Sequence, residues 1–218
     1  MRTLFAVLRL VAAVAIVVAV VAQWVEAMKD TKYFFFNFFG YFTIQSNLLI
    51  AVAFAITAVY GFRRREQPEW LVVVRGATTT YLATTGVVYN LLLANLPAGD
   101  FNVPWSNDIL HKWIPLFAVL QWILFGDRPP IAWRRLWIFL VYPIVWLIAT
   151  LLRGQSFVPY PFLNVTVLGA GGVAIYCVAI TAFIIGMSAL VIWTSRFRIL
   201  RPEGAEAVRH DRASVSST

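Results

Sequence analysis

Thr43 and His111 are the residues of this chain whose types could perform acyl transfer. A hydroxyl can attack a carbonyl, while an imidazole takes its proton and returns it to the leaving group. The chain has two histidines, and His210 lies in a polar C-terminal stretch, so His111 is the imidazole of the apolar part. Asp108 precedes it by three residues and Asn107 by four, so both share its helical face and either could orient the ring. Thr43 heads a stripe of Thr43, Ser46, Asn47, Ile50, Phe54 and Thr57 at three- and four-residue spacing, the repeat of one helix face. Asn47, a turn deeper, is a candidate oxyanion donor, and Ser46 is a rival hydroxyl. Thr78, Tyr81, Thr85, Tyr89 and Tyr176 are polar groups that could close a pocket around them. The plainer alternative is that Thr43 bonds its own backbone four residues back and His111 is an interfacial polar residue.

The elements that must position these groups are six apolar stretches, Leu4–Val25, Phe38–Phe62, Trp70–Asn95, Asp108–Phe125, Trp133–Leu152 and Gly169–Trp193. A bilayer core of about 30 Å needs roughly 20 apolar residues per helix. The expected fold is therefore all-α, a polytopic membrane protein with six transmembrane helices over residues 1–200 and a disordered tail, Arg201–Thr218. Arginines gather on alternate connections: Arg2 and Arg9, then Arg63, Arg64, Arg65 and Arg75, then Arg128, Arg134 and Arg135, then Arg196, Arg198 and Arg201. The opposite connections hold Lys29, Lys32 and Arg153 beside Glu26, Asp30 and Asp100. The positive-inside rule places both termini in the cytoplasm. Thr43 then lies roughly 7–8 Å inside the outer boundary at about 1.5 Å per residue, and His111 falls within a turn of that depth.

Composition narrows the function classes. The chain is 61% hydrophobic and 13% charged, whereas a soluble domain carries about a quarter charged residues. The net charge of +8 is distributed as a topology signal and a contact for anionic lipid, not as a nucleic-acid surface. The first span has a basic start, but it is longer than a signal-peptide core of about 7–15 residues and lacks a clear cleavage site, so it reads as an uncleaved helix. Cys177 alone makes neither a disulfide nor a cysteine metal site. One intramembrane histidine is too few for bis-histidine haem, and His111 with Asp108 is too small a set for catalytic zinc. No cofactor or metal is expected. The GxSxG elbow of common lipases is absent. An arginine-dominated basic set with abundant Ala and Val points to a bacterial inner membrane, where the sequon Asn164-Val165-Thr166 is idle.

The longest outer connection, Leu152–Leu168, contains Pro159-Tyr160-Pro161-Phe162, whose prolines prevent a regular helix. It is expected at the membrane interface, with tucking into the bundle mouth as a lid as the alternative. Three pieces carry a resemblance: Phe42-Thr43, then Asn107-Asp108-Ile109-Leu110-His111 running to Pro115 and Phe117, and Tyr160-Pro161-Phe162-Leu163. In this order the chain resembles the androgen-induced and androgen-dependent six-helix membrane hydrolases, and also bacterial six-span proteins without assigned function. The resemblance implies Thr43 as nucleophile, His111 as base and a lipid ester, of the fatty acid–hydroxy fatty acid type, as substrate. Ser46, Asn47, Asp108, Tyr160 and Tyr176 are then candidates for substrate or oxyanion contacts. This chain departs from the family at Ser46 and at Lys112-Trp113. The rival is a non-enzymatic lipid-binding or transport protein. Deep carboxylates are missing from every span, which argues against proton-coupled transport.

Overall fold

The computed structural model describes residues 1–30, 34–95, 103–197 and 199–200; the tail at 201–218 lies outside them. The chain is all-α. Its helices are α1 (Arg2–Ala27), α2 (Phe35–Phe38), α3 (Phe42–Phe62), α4 (Glu69–Val88), α5 (Pro104–Asp108), α6 (Ile114–Leu124), α7 (Leu136–Arg153) and α8 (Val165–Thr194). Among the described residues the only β pairing is an isolated bridge between Phe125 and Leu200. Five helical stretches are long and apolar enough to cross a membrane. The fourth expected span, Asp108–Phe125, is helical from Pro104 to Leu124 but falls into three parts, α5, a π turn over Ile109–Trp113, and α6. It carries Asn107, Asp108, His111, Lys112 and Gln121, and that polar load keeps it out of the apolar set.

Helix α1 shows how these faces are sorted. Its inward side is Ala12, Ala13, Ile16, Ala19 and Val20, while Val11, Val14, Val18 and Val25 face outward. Alanines on the inner stripe let the neighbouring backbone come close, and α1 lies along α3. Helix α4 is the centre of the bundle: 78% of its span is buried, against 17% for the span that contains α7 and 22% for α8. α3, α6, α7 and α8 all pack on it. At Gly86 the approach is closest to the candidate site. A Cβ there would lie 3.0 Å from Pro115 Cβ and 3.6 Å from the His111 carbonyl oxygen.

Two features depart from expectation. Arg9 and Arg75 lie in the interior, 1% and 0% exposed, although a topology signal needs them only near headgroups. Arg9 grips Asp127 through both terminal nitrogens (2.5 and 3.0 Å) and Gln121 Oε1 (3.1 and 3.2 Å). Arg75 reaches Gln121 Oε1 at 3.0 Å and also donates to Gln67. Gln67 in turn donates to Asp127 Oδ2 at 3.0 Å. This network ties α1, α4 and α6 to the connection after α6, at the end of the bundle where α1 begins and α8 ends. Burial by itself would raise the Asp127 pKa. The Arg9 and Arg75 charges outweigh it and hold the carboxyl well below its usual 3.8.

The second concerns the proline-rich connection, where packing favours the alternative of a segment tucked into the bundle mouth. Phe157, Phe162 and Leu163 are buried, and Tyr160 reaches the start of α3. The segment is tucked into the bundle mouth. Asn164 caps α8, accepting from the Thr166 and Val167 amides at 3.1 and 3.3 Å, which gives the sequon asparagine a structural role. The helix breaks at Gly169, with φ +68°, a backbone state that glycine enters without the penalty a Cβ brings. That break falls where the sixth apolar stretch begins.

Candidate functional site

Thr43 is the second residue of α3, whose N-cap is Tyr41. Amides in a first helical turn have no partner within the helix. Here the Thr43 amide points at the Tyr160 hydroxyl oxygen (3.4 Å), and Thr43 Oγ1 lies 3.5 Å from the same atom. Both contacts are long. At the second position of α3, Thr43 has no carbonyl of its own helix a turn behind it to bond as a mid-helix threonine does. Burial pushes the Tyr160 phenol up to about 12, against the opposing pull of its hydrogen bonds with Thr43. At neutral pH it is a hydroxyl and can donate.

Ser46 and Asn47 are fully buried, and both serve the backbone. Ser46 Oγ donates to the Thr43 carbonyl at 3.2 Å. Asn47 Nδ2 donates to that carbonyl at 2.9 Å and to the Leu110 carbonyl at 3.2 Å. Asn47 thus clamps the Thr43 turn to the residue next to His111. This bridge ties the start of α3 to the π turn that follows α5. With its amide donors engaged, Asn47 positions the site and offers no free oxyanion donor.

His111 sits in the π turn Ile109–Trp113. Its Nδ1 lies 3.1 Å from the Asn107 carbonyl oxygen. A proton on Nδ1 satisfies that contact and leaves Nε2 with a free lone pair, the tautomer a general base needs. The ring stacks on Tyr89, centroids 4.0 Å apart and 26° between planes. Tyr89 opens a second π turn, Tyr89–Leu93, and its hydroxyl accepts from Asn107 Nδ2 at 2.5 Å. Single π turns within helices are frequent at functional sites, and here two of them meet through one ring stack. Asp108 does not touch the imidazole; it pairs with Lys112 at 2.6 Å.

A cavity of about 90 Å³ runs from Thr43 between α4, α7 and α8, room for several water-sized groups. Its lining is mainly apolar and includes Leu140, Ile144, Leu147 and Ile180. Thr43, Thr85, Tyr89 and Tyr160 belong to it, as the sequence suggested, and so do Thr84 and Thr181. Thr78, Tyr81 and Tyr176 do not; Tyr176 stacks on the far side of Phe162 (5.9 Å). His111 stands behind Tyr89, outside the lining, and no hydrogen bond joins it to Thr43. Sequence reasoning missed Thr84 and the whole contribution of α7. Thr84 adjoins Thr85 and carried a signal; the cavity residues of α7, Leu140, Pro143, Ile144, Trp146 and Leu147, lack a polar spacing that would single them out, and Thr181 of α8 was missed as well. Among the described residues no cluster of His, Cys, Asp and Glu could hold a metal ion.

Fold and site together define a helical bundle with an apolar, hydroxyl-bearing cavity bordered by the connection between α7 and α8. No protein-family model, curated protein or solved structure matches the chain.

Proposed function

We propose that this chain is an integral membrane hydrolase of fatty acyl esters, with six spans and both termini cytoplasmic in a bacterial inner membrane. The observation that carries the reading is the placement of Thr43. Its hydroxyl stands at the second residue of α3, where no carbonyl of that helix lies a turn behind it, beside Tyr160, and it belongs to an apolar cavity. The order Thr43, His111, Tyr160-Pro161-Phe162-Leu163 along the chain supports it.

In the proposed reaction the acyl chain lies among the apolar residues of α7 and α8, and Thr43 Oγ forms a bond to the ester carbonyl carbon. The threonine proton passes to His111 Nε2. Tyr89 stands between the two, and the proton crosses through a bridging water or after Tyr89 swings aside; such contacts often tighten only once substrate is bound. The Tyr160 hydroxyl donates to the developing oxyanion. The carbon–oxygen bond to the alcohol breaks and His111 protonates the departing alcohol. Water then attacks the acyl-threonine ester, losing a proton to His111; the bond between the acyl carbon and Thr43 Oγ breaks, His111 returns the proton to Oγ, and the fatty acid leaves.

The separation of Thr43 from His111 favours a second reading, a protein that binds a lipid chain without cleaving it. A long-chain alkyl fluorophosphonate separates the two. Intact mass of purified protein in mild detergent is expected to show one adduct on the parent and on Ser46→Ala, and none on Thr43→Ala or His111→Ala. A folded parent that takes no adduct leaves the lipid-binding reading.

A further inference from the structure

Helix α4 carries five threonines, at 78, 79, 80, 84 and 85. Thr78 and Thr80 donate to the carbonyls four residues back, Val74 (2.9 Å) and Gly76 (3.2 Å). Thr57 in α3 and Thr194 in α8 do the same, the usual fate of a hydroxyl in a helix. Thr84 and Thr85 depart from it. They are 4% and 6% exposed, and neither hydroxyl has a hydrogen-bond partner. Both line the cavity that holds Thr43, whereas Thr79, also without a partner, does not. A buried hydroxyl left unpaired destabilises the empty protein, so these two are groups prepared for an acceptor that arrives with a ligand.

We infer that Thr84 and Thr85 form the polar subsite of the cavity and donate to the carbonyl oxygen of a bound acyl ester. The assignment rests on the acyl-ester reading of the Thr43 cavity and adds the residues that recognise the ester group. Each hydroxyl supplies one proton, and a carbonyl oxygen presents two lone pairs. Val88, Leu140, Ile144 and Ile180 offer that oxygen no donor, Thr181 of α8 is a further hydroxyl of the same lining, and Tyr160 is the donor proposed for the oxygen once it becomes an oxyanion. An alkyl ether of the same chain lacks the carbonyl and fills the same apolar walls.

The test is a matched pair, 1-oleoylglycerol and 1-oleylglyceryl ether, with binding to Thr43→Ala protein followed by native mass spectrometry so that the ester survives. The ester is expected to bind about three- to tenfold more tightly than the ether. Adding Thr84→Val and Thr85→Val should bring that ratio to about one without weakening the ether. The ligand-free double variant should melt no lower than its parent, since valine replaces an unpaired hydroxyl. Absence of an ester preference, its survival in the double variant, or a lowered melting temperature would each overturn the assignment. An ester preference without a fluorophosphonate adduct keeps the subsite and removes the hydrolase; an adduct without the preference does the reverse.

Discussion

The Tyr160 oxygen touches both the Thr43 amide and the Thr43 hydroxyl, so its removal is a test confined to one atom. Tyr160→Phe keeps the ring stacked on Phe162 (5.2 Å) and takes away the donor proposed for the oxyanion. Loss of one such donor lowers turnover about 10²–10³-fold in enzymes that depend on it. Acyl-ester hydrolysis by Tyr160→Phe is expected to fall by about that factor, with the melting temperature within a few degrees of the parent. Unchanged hydrolysis would reduce Tyr160 to a packing residue. The same scale explains why Ser46 is the weaker nucleophile candidate. Its hydroxyl is buried and engaged on the Thr43 carbonyl, and Ser46→Ala removes that bond without opening a path to any ester.

At the scale of the elements, the site depends on how closely α4 approaches the turn that carries His111. Gly86→Ala places a methyl 3.0 Å from Pro115 Cβ, which forces the two backbones apart at the level of the Tyr89–His111 stack. Overpacking of this kind costs about 1–3 kcal/mol. Gly86→Ala is expected to lower the melting temperature and slow fluorophosphonate labelling together. Gly169→Ala has the opposite character. Nothing lies within 4 Å of the added Cβ, so the penalty is conformational only, about 1–3 kcal/mol for a backbone state that is essentially confined to glycine. It should destabilise α8 while labelling of the folded protein proceeds at the parental rate. A labelling loss as large as that of Gly86→Ala would show instead that the break in α8 shapes the cavity.

For the whole molecule, the buried Arg9–Asp127–Arg75 network binds four parts of the chain at the end opposite the cavity. Removing one partner of a buried pair costs about 3–5 kcal/mol because the other charge stays behind. Asp127→Ala is expected to lose stability on that scale while Arg2→Ala, whose guanidinium is exposed and reaches the Arg64 carbonyl, loses little. The pH dependence has a definite sign. The Asp127 carboxyl is depressed in the folded state, so its contribution is complete above the usual 3.8 and declines as pH falls below that value toward the folded one. Thermal melts in detergent between neutral pH and the acid limit should therefore slope less in Asp127→Asn than in the parent. Parallel slopes would remove Asp127 from the acid response. Orientation belongs to this scale as well. A fluorescent protein fused after Thr218 should fluoresce if both termini are cytoplasmic, and a dark, full-length fusion would reverse the proposed topology.

How much of this was legible beforehand differs between fold and site. The apolar runs fixed the helices, because a bilayer-length segment must satisfy its backbone internally whatever its neighbours; even the break at Gly169 fell at the edge of a predicted stretch. Three- and four-residue spacing put Thr43, Ser46 and Asn47 on one side of a helix, and they lie together in the first turns of α3. Of the groups expected to close a pocket, Thr85 and Tyr89 line the cavity and Thr78, Tyr81 and Tyr176 do not. Spacing is blind to partners between helices. It could not tell that Asn47 clamps the Leu110 carbonyl, that Asp108 turns to Lys112, or that Tyr89 separates His111 from the cavity. It also placed Arg9 and Arg75 among the headgroup charges, since an arginine near a helix end reads the same whether it faces lipid or Asp127. The sequence alone determined length, hydropathy and the local side of each helix, which are properties of one segment. Only the tertiary structure decided which sides meet, because contact energies depend on the pair and not on either residue alone.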